Sequence, residues 1–183
     1  MNASELAYLP HLEAIKSAVD QYDAIKCLQN NISKAFKTGG KVISAGNGGS
    51  CSDAQHLTCE LVGRFEVERE GLPAICLGTN SASLTAIAND YEFSLALQRE
   101  GIALANDKDI IILFSTSGNS LNLINLANSA RKKGIRVFGF LGKDGGRLKN
   151  LCDTSIVINS QSTARIQEAH IFLVHILCSL IDQ

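Results

Sequence analysis

Apolar residues recur along the chain with two different periods, and the change near residue 40 separates two regions. Before it, apolar residues are spaced by three and four positions, which is typical of amphipathic helices. They form two sets: Leu12, Ile15 and Val19, then Ile25, Leu28, Ile32 and Phe36. Pro10 fits the first turn of the earlier helix, and Gly39-Gly40 fits the end of the later one. Two helices are therefore predicted here.

From residue 41, short apolar runs alternate with helical patterns. The runs predict strands at 41–45, 73–77, 109–114, 135–140 and 154–158. The helical patterns cover 50–63, 81–104 with a break near Asn89-Asp90, 119–133, a short piece at 145–151, and 162–182. Strands that are apolar on both faces and separated by helices predict a three-layer α/β fold, in which helices cover both sides of a five-stranded parallel sheet.

The whole chain, 1–183, is predicted to be one domain. Residues 1–40 are predicted to be an N-terminal helical arm that packs on the core and on neighbouring subunits. In such sheets ligands bind beyond the carboxyl ends of the strands, so the loops that follow the strands are the first places to search for a site.

The first strand is followed by a glycine-rich turn, Gly46-Asn-Gly-Gly-Ser50. Glycines let backbone N–H groups approach an anion closely, and a helix N-terminus adds a favourable partial charge. Ser50 is in position to cap the next helix. The segment has neither the dinucleotide-binding glycine pattern nor the lysine of a P-loop. A structural tight turn explains it as well as a phosphate site does.

The third predicted strand is followed by Ser115-Thr-Ser-Gly-Asn-Ser120, which has four hydroxyls in six residues. A helix cap needs only one hydroxyl, whereas Ser115, Thr116, Ser117 and Ser120 together can donate several hydrogen bonds to phosphate oxygens. Phosphate binding is thus favoured over capping alone. Because no cation accompanies the hydroxyls, the phosphate is expected to be held rather than transferred.

Two helices carry the candidate chemistry. His56 and Glu60 are four residues apart, so they project together from one helix, and Asp53 continues that stripe. Taken alone, the stripe could be a solvated surface. On the C-terminal helix, Gln167 and His175 share a face, and His175 lies in an apolar run. It is either a buried structural histidine or a group for proton transfer; His170 points elsewhere and is expected to be structural.

Two histidines, a carboxylate and an amide could meet around a divalent metal. Ligation by two histidines and a carboxylate with an open position suits zinc. The same side chains could also act without a metal, as a carboxylate base and an imidazole acid at the two ends of an enediol. The residues alone leave both alternatives open.

The composition is that of an ordinary soluble globular protein, with 45% apolar residues, 19% charged residues and a net charge of −1. No block of Lys and Arg indicates a nucleic-acid surface. Apolar runs are interrupted before the roughly 18 residues of a membrane span, and residues 1–5 lack the features of a signal peptide. We expect a cytoplasmic protein with no nucleic-acid or membrane partner.

Six cysteines occur without a C-x-x-C pair. Their irregular spacing predicts reduced, mostly buried thiols in a reducing compartment. Cys51 and Cys59 flank the His56 segment, which leaves metal ligation by them as an alternative.

The chain resembles the phosphoheptose isomerases, a family of single sugar-isomerase (SIS) domain enzymes. The resemblance covers essentially the whole length. It rests on an ordered set of motifs: Gly46-Asn-Gly-Gly-Ser50, Asp53-Ala-Gln-His56, Glu60, Gly63-Arg64, Asn89-Asp90, Ser115-Thr-Ser-Gly-Asn-Ser120, Gly142-Lys-Asp-Gly-Gly146, Ala164-Arg-Ile-Gln-Glu168 and His175. The fold that it implies is a SIS domain of the flavodoxin or Rossmann-like type.

The resemblance implies conversion of sedoheptulose 7-phosphate into D-glycero-D-manno-heptose 7-phosphate for bacterial surface polysaccharide. It implies Glu60 as the base at carbon and His175 as the acid/base at oxygen. It implies one zinc ion per subunit at His56, Glu60, Gln167 and His175. It implies substrate contacts at Asn47, Gly48, Gly49, Glu60, Asn89, Asp90, Ser115, Thr116, Ser117, Ser120 and Gln167. It also implies a homotetramer with active sites between subunits.

Some positions depart from the family pattern or resemble a relative. Cys51-Ser52 stands where small residues or histidine are common, and Thr163-Ala164 stands where some members carry an aspartate. Segments 64–69 and 84–90 also resemble a non-catalytic paralogue, a tetramer that regulates bacterial replication initiation. That alternative should lack the carboxylate at Glu60 and the imidazole at His175, and this chain has both.

Overall fold

A single parallel sheet forms the centre of the protein. The computed structural model describes residues 3–183. In this part of the chain the strands are β1 (Val42–Gly46), β2 (Ala74–Cys76), β3 (Ile110–Ser115), β4 (Arg136–Gly142) and β5 (Thr154–Ile158). They are all parallel, in the order β2-β1-β3-β4-β5. The predicted five-stranded parallel sheet is confirmed.

Helices cover both faces of the sheet. They are α1 (Ala3–Val19), α2 (Tyr22–Lys37), α3 (Gly49–Val62), α4 (Ser81–Asp90), α5 (Phe93–Leu104), α6 (Leu121–Lys132) and α7 (Thr163–Ile181), with a short 3₁₀ helix at Arg147–Asn150. The break predicted near Asn89-Asp90 is the junction between α4 and α5. These layers confirm the three-layer α/β class.

Alternate residues of each strand enter two separate hydrophobic clusters. On β3, Ile110, Ile112 and Phe114 pack with α1, α2, α3 and α7, whereas Ile111 and Leu113 pack with α5 and α6. This alternation follows from the strand period of two, and both faces are buried because helices lie on both sides.

The order of the strands determines where loops meet. Within the sheet, β2 lies next to β1 on one edge and β3 lies next to β1 on its other edge. The loops that leave β1 and β3 therefore border a crevice at the carboxyl edge, which is the usual ligand position in such sheets. These are the glycine turn at 46–49 and the hydroxyl-rich loop at 115–120. We call the second of these the hydroxyl loop.

The N-terminal helices pack on α7, and side-chain contacts anchor α1 there. His11 Nδ1 lies 2.7 Å from Glu168 Oε2, and Arg165 Nη1 donates to the Ala7 carbonyl at 3.1 Å. The prediction that Pro10 starts this helix is wrong, because α1 begins at Ala3. Proline inside a helix removes one hydrogen bond and crowds the preceding turn. Here contacts with α7 at Ala7 and at His11 hold α1 in place on both sides of Pro10.

Two further predictions need correction. Ser50 does not cap α3: the N-cap is Gly48, in the left-handed region at φ 55°, and Ser50 is buried in the first turn. The left-handed turn lets the helix start two residues earlier than the predicted cap would. The cysteines are free, but only Cys76 and Cys178 are buried, whereas Cys27 and Cys59 are exposed.

Among residues 3–183, one helix is long and apolar enough to cross a membrane when judged by length and composition alone. It is α7, and core helices of soluble proteins satisfy the same criterion. Its buried residues, including Ile166, Leu173 and Val174, lie in the cluster between the sheet and the N-terminal helices.

Candidate active site

Helix α3 presents His56 and Glu60 on one face, as their spacing predicted. His56 Nε2 lies 3.2 Å from Glu60 Oε1. Glu60 is the more enclosed of the two, because its side chain is 19% exposed and that of His56 is 40% exposed. The pair is thus only partly solvated, unlike a random surface pair.

Helix α7 brings His175 to the same place. His175 Nε2 lies 3.0 Å from His56 Nε2, across 119 residues of sequence. At that distance one imidazole donates a hydrogen bond and the other accepts it. His175 is half-buried, and the Phe65 ring stacks on it with centroids 5.5 Å apart. The two helices therefore bring His56, Glu60 and His175 into one cluster.

Gln167 lies against the glycine turn, two helical turns before His175. A Cβ atom at position 49 would overlap the Gln167 side-chain amide, so Gly49 is needed for this close approach. The Gln167 amide therefore lies beside the first residue of α3.

The hydroxyl loop does not use its side chains for simple capping. Ser120 is the N-cap of α6, yet its hydroxyl makes no capping hydrogen bond. Ser115 Oγ accepts from the Gly118 N–H at 3.0 Å, and Ser117 Oγ accepts from the Asn119 N–H at 3.1 Å. As acceptors in these bonds, both hydroxyls keep their own O–H to donate. These bonds therefore leave the O–H donors of Ser115 and Ser117 unused, in the loop that precedes α6.

Asn47 reaches from the glycine turn to α6. Its Nδ2 donates to Asn122 Oδ1 at 3.0 Å, and Asn122 Nδ2 donates to Asn47 Oδ1 at 2.8 Å. Asn122 is buried, with 3% exposure. The sequence analysis did not single out Asn122, because no local pattern marks an asparagine in the first turn of a helix as a partner.

Asn89 and Asp90 lie apart from this group. Both are exposed at the end of α4, and Asn89 Nδ2 donates to Asp90 Oδ1 at 2.9 Å. No hydrogen bond or ion pair joins them to another predicted site residue within the described range 3–183. A single chain therefore does not connect them to the His56–Glu60–His175 cluster.

Asp53 does not continue the stripe of His56 and Glu60. It is buried at 5% exposure, and its Oδ2 lies 4.0 Å from His170 Nδ1, too far for a hydrogen bond. Burial raises the pKa of Asp53 to about 7. Burial also lowers the pKa of His170 to about 4, partly opposed by a hydrogen bond from its Nε2 to the Leu141 carbonyl at 3.2 Å. His170 is thus a buried core residue outside the cluster.

Arg69 is a further residue that the sequence analysis missed. Its guanidinium donates to the carbonyls of Glu60 at 2.8 Å and Leu61 at 2.9 Å, and to Asp182 Oδ1 at 2.7 Å. It therefore ties the end of α3 to the end of α7. Its partners are up to 113 residues away, so no local spacing reveals it.

Within residues 3–183, no group of three or more His, Cys, Asp and Glu side chains is arranged to hold a metal ion. The donor atoms of the cluster are nonetheless close, at 3.0 and 3.2 Å from His56 Nε2. Ligands placed tetrahedrally around zinc at its usual bond lengths lie about 3.3 Å apart. Two of the donor spacings are therefore close to that value, and histidine and carboxylate are donor types that zinc binds.

Known proteins are similar to this chain in both sequence and fold. The model of the SIS domain family matches residues 7–142. A phosphoheptose isomerase of a Nitratiruptor species is 52% identical over 150 residues, covering 82% of this chain and 80% of the relative. One from Campylobacter concisus is 42% identical over 173 residues, covering 94% and 92%. The solved structure of a phosphoheptose isomerase from Francisella tularensis has a TM-score of 0.91 at 34% identity and covers 100% of both chains.

The sheet order and the hydroxyl loop, together with the match of the family model, define a SIS-domain protein. More narrowly, the chain belongs to the phosphoheptose isomerase family, because relatives above 40% identity cover most of its length. The family resemblance that the sequence motifs indicated is thereby confirmed.

Proposed function

We propose that the protein is an aldose–ketose isomerase that converts sedoheptulose 7-phosphate into D-glycero-D-manno-heptose 7-phosphate. The observation that carries this proposal is the convergence of His56, Glu60 and His175 from two helices at 3.0 and 3.2 Å. The relatives named phosphoheptose isomerase support the same class of reaction.

The isomerisation moves one proton between neighbouring carbons and another between their oxygens. Glu60 would remove the proton from C1 of the ketose, which leaves an enediol, and would return a proton to C2 of the aldose. His175 would give a proton to the C2 oxygen and take one from the C1 oxygen. A base at carbon and an acid/base at oxygen are what this reaction requires. Phe65 stacks on the His175 ring and would hold its orientation.

The hydroxyl loop would hold the phosphate of the substrate. Ser115, Thr116, Ser117 and Ser120 would donate hydrogen bonds to the phosphate oxygens, next to the N-terminus of α6. Binding at this end, remote from C1 and C2, positions the reacting carbons near Glu60. The absence of a lysine or arginine in the loop agrees with a phosphate that is not transferred.

The glycine turn and α7 would contact the sugar. Asn47, Gly48 and Gly49 border the crevice on one side, and Gln167 lies against Gly49. Asn89 and Asp90 are proposed as further contacts. Since they are not connected to the cluster in one chain, they would act in a site completed by a neighbouring subunit.

His56, Glu60, Gln167 and His175 would hold one zinc ion per subunit. A bound zinc would supply positive charge that stabilises the enediolate. Both imidazoles would have to be unprotonated on the nitrogen that faces the metal. Metal analysis of protein purified without chelator should find about one zinc per chain. Fully active, metal-free protein would contradict this role.

We further propose a homotetramer with active sites between subunits. The N-terminal arm exposes several large apolar side chains, namely Leu6, Tyr8, Leu9, Leu12, Val19 and Tyr22. Apolar surface of this kind marks an interface. The six free cysteines fit a reducing compartment, so we place the reaction in the cytoplasm, as an early step towards bacterial surface heptose.

The test of this function is an isomerase assay with purified protein on three ketose phosphates: sedoheptulose 7-phosphate, fructose 6-phosphate and ribulose 5-phosphate. The proposal predicts the highest kcat/KM for the seven-carbon sugar. Turnover of a shorter sugar with greater kcat/KM would assign a different substrate to the same site, and inactivity on all three would remove the isomerase assignment.

A further inference from the structure

Asn122 lies in the first turn of α6, immediately after the hydroxyl loop, and is 3% exposed. It makes two reciprocal side-chain hydrogen bonds with Asn47, at 3.0 and 2.8 Å. Its Oδ1 also lies 3.0 Å from the Leu123 N–H as an acceptor. A buried amide is costly unless it is paired, so a residue that only filled space here would be apolar.

The pair joins two loops that the topology would otherwise leave independent. Asn47 belongs to the turn after β1, and Asn122 follows the loop after β3, on the other side of the crevice. The sequence separation is 75 residues. We call the two amide–amide hydrogen bonds the asparagine clasp. It fixes the glycine turn relative to the start of α6.

The clasp leaves Asn47 partly free for a ligand. An amide has two N–H donors and two acceptor lone pairs, and the clasp uses one donor and one acceptor of Asn47. The remaining N–H and lone pair can meet a sugar hydroxyl. The orientation of those groups is set by Asn122, which is buried and makes three hydrogen bonds.

We propose that Asn122 is a positioning residue that holds Asn47 and thereby sets the separation between the sugar-binding turn and the phosphate-binding hydroxyl loop. This inference rests on the proposed function, since it assigns the two loops to the two ends of one sugar phosphate. Asn122 itself does not touch the reacting atoms. Its effect is therefore expected on substrate binding rather than on proton transfer.

The first experiment compares Asn122→Ala with Asn125→Ala. Asn125 lies on the same helix and donates one hydrogen bond to the Ser94 carbonyl at 3.0 Å, facing α5, so it controls for loss of a helix-bound amide. Asn122→Ala should raise KM for sedoheptulose 7-phosphate about tenfold or more and change kcat less than about threefold. Asn125→Ala should leave both within about twofold of wild type.

A double variant separates the clasp from general destabilisation. If Asn122 acts through Asn47, then Asn47→Ala with Asn122→Ala should have a KM no higher than Asn47→Ala alone. Multiplied effects of the two substitutions would contradict the proposal, because they would show that the residues act independently.

Amide hydrogen exchange gives a measurement that does not depend on turnover. Asn122→Ala should speed exchange across residues 46–51 at least about tenfold, and Asn125→Ala should not. Unchanged exchange, or faster exchange with an unchanged KM, would overturn the inference. If wild-type protein fails to turn over the sugar, the proposed function fails on that assay, and the exchange comparison alone still decides whether Asn122 holds the turn.

Discussion

Asp53 and His170 face each other between α3 and α7, and burial shifts both of their pKa values. The pKa of His170 is lowered from 6.5 to about 4, and that of Asp53 is raised from 3.8 to about 7. His170 therefore contributes stability that is present above pH 6.5 and is lost as the pH falls through about 4. Asp53 contributes stability that is present below pH 3.8 and is lost as the pH rises through about 7. Between pH 4 and 6.5 the two trends oppose each other.

Single substitutions at this pair should reveal the opposing trends. Relative to wild type, Asp53→Asn should gain stability as the pH rises from about 4 to about 7, because only the His170 trend remains. His170→Gln should lose stability over the same range. The measurement is the free energy of unfolding by urea at several pH values. Parallel pH profiles for wild type and both variants would contradict the assigned shifts.

At the scale of elements, the site depends on how α3 and α7 are held together. Arg69 joins the last turn of α3 to Asp182 just after α7, and both side chains are largely enclosed, at 17% and 4% exposure. Since Glu60 lies in that last turn, the position of its carboxylate relative to His175 depends on this contact. Arg69 thus joins the end of α3, which is nearby in sequence, to the end of α7, which is 113 residues away.

Removal of the Arg69 charge should therefore destabilise the folded protein. Arg69→Gln should lower the free energy of unfolding by about 3 kcal/mol, because it leaves Asp182 buried without its charge partner. Arg64→Gln is the matched control, since Arg64 pairs with Glu68 in the same loop with both side chains exposed. Arg64→Gln should lower the free energy of unfolding, measured in urea, by less than about 1 kcal/mol. Equal losses in the two variants would remove the special role of Arg69.

The elements were predictable because their signals are local. Short apolar runs between helical patterns predicted all five strands, and the spacing of four residues predicted that His56 and Glu60 project together. The start of α1 was missed, because tertiary contacts to Ala7 and His11 stabilise a helix through Pro10. Asn122, Arg69 and Phe65 were missed for the same kind of reason. Each matters through a partner that is distant in sequence, and residue type alone does not identify such a partner.

At the scale of the whole molecule, the apolar arm and the isolated Asn89-Asp90 pair both favour assembly. Leu9 is 59% exposed on α1, which is unfavourable for a helix that remains in water. Asn89 and Asp90 lie exposed on α4, where a neighbouring subunit could use them. A tetramer would cover the arm and complete the site in one arrangement.

This arrangement predicts a particle of four times the 19.6 kDa chain mass in sedimentation experiments. Leu9→Glu should give a lighter particle with reduced isomerase activity, because a charge in a buried interface is unfavourable. Leu104→Glu is the control, since Leu104 is also exposed, at 43%, but lies at the end of α5. A wild-type monomer with full activity would contradict the shared site.

The most direct test of the central claim is the turnover of sedoheptulose 7-phosphate by wild-type protein beside Glu60→Gln. Glutamine keeps the size of glutamate but cannot accept the proton from C1. The account predicts heptose 7-phosphate formation by wild type and a loss of at least about 100-fold in kcat for the variant, at matched metal content and particle mass. Turnover by Glu60→Gln within about threefold of wild type would contradict the account.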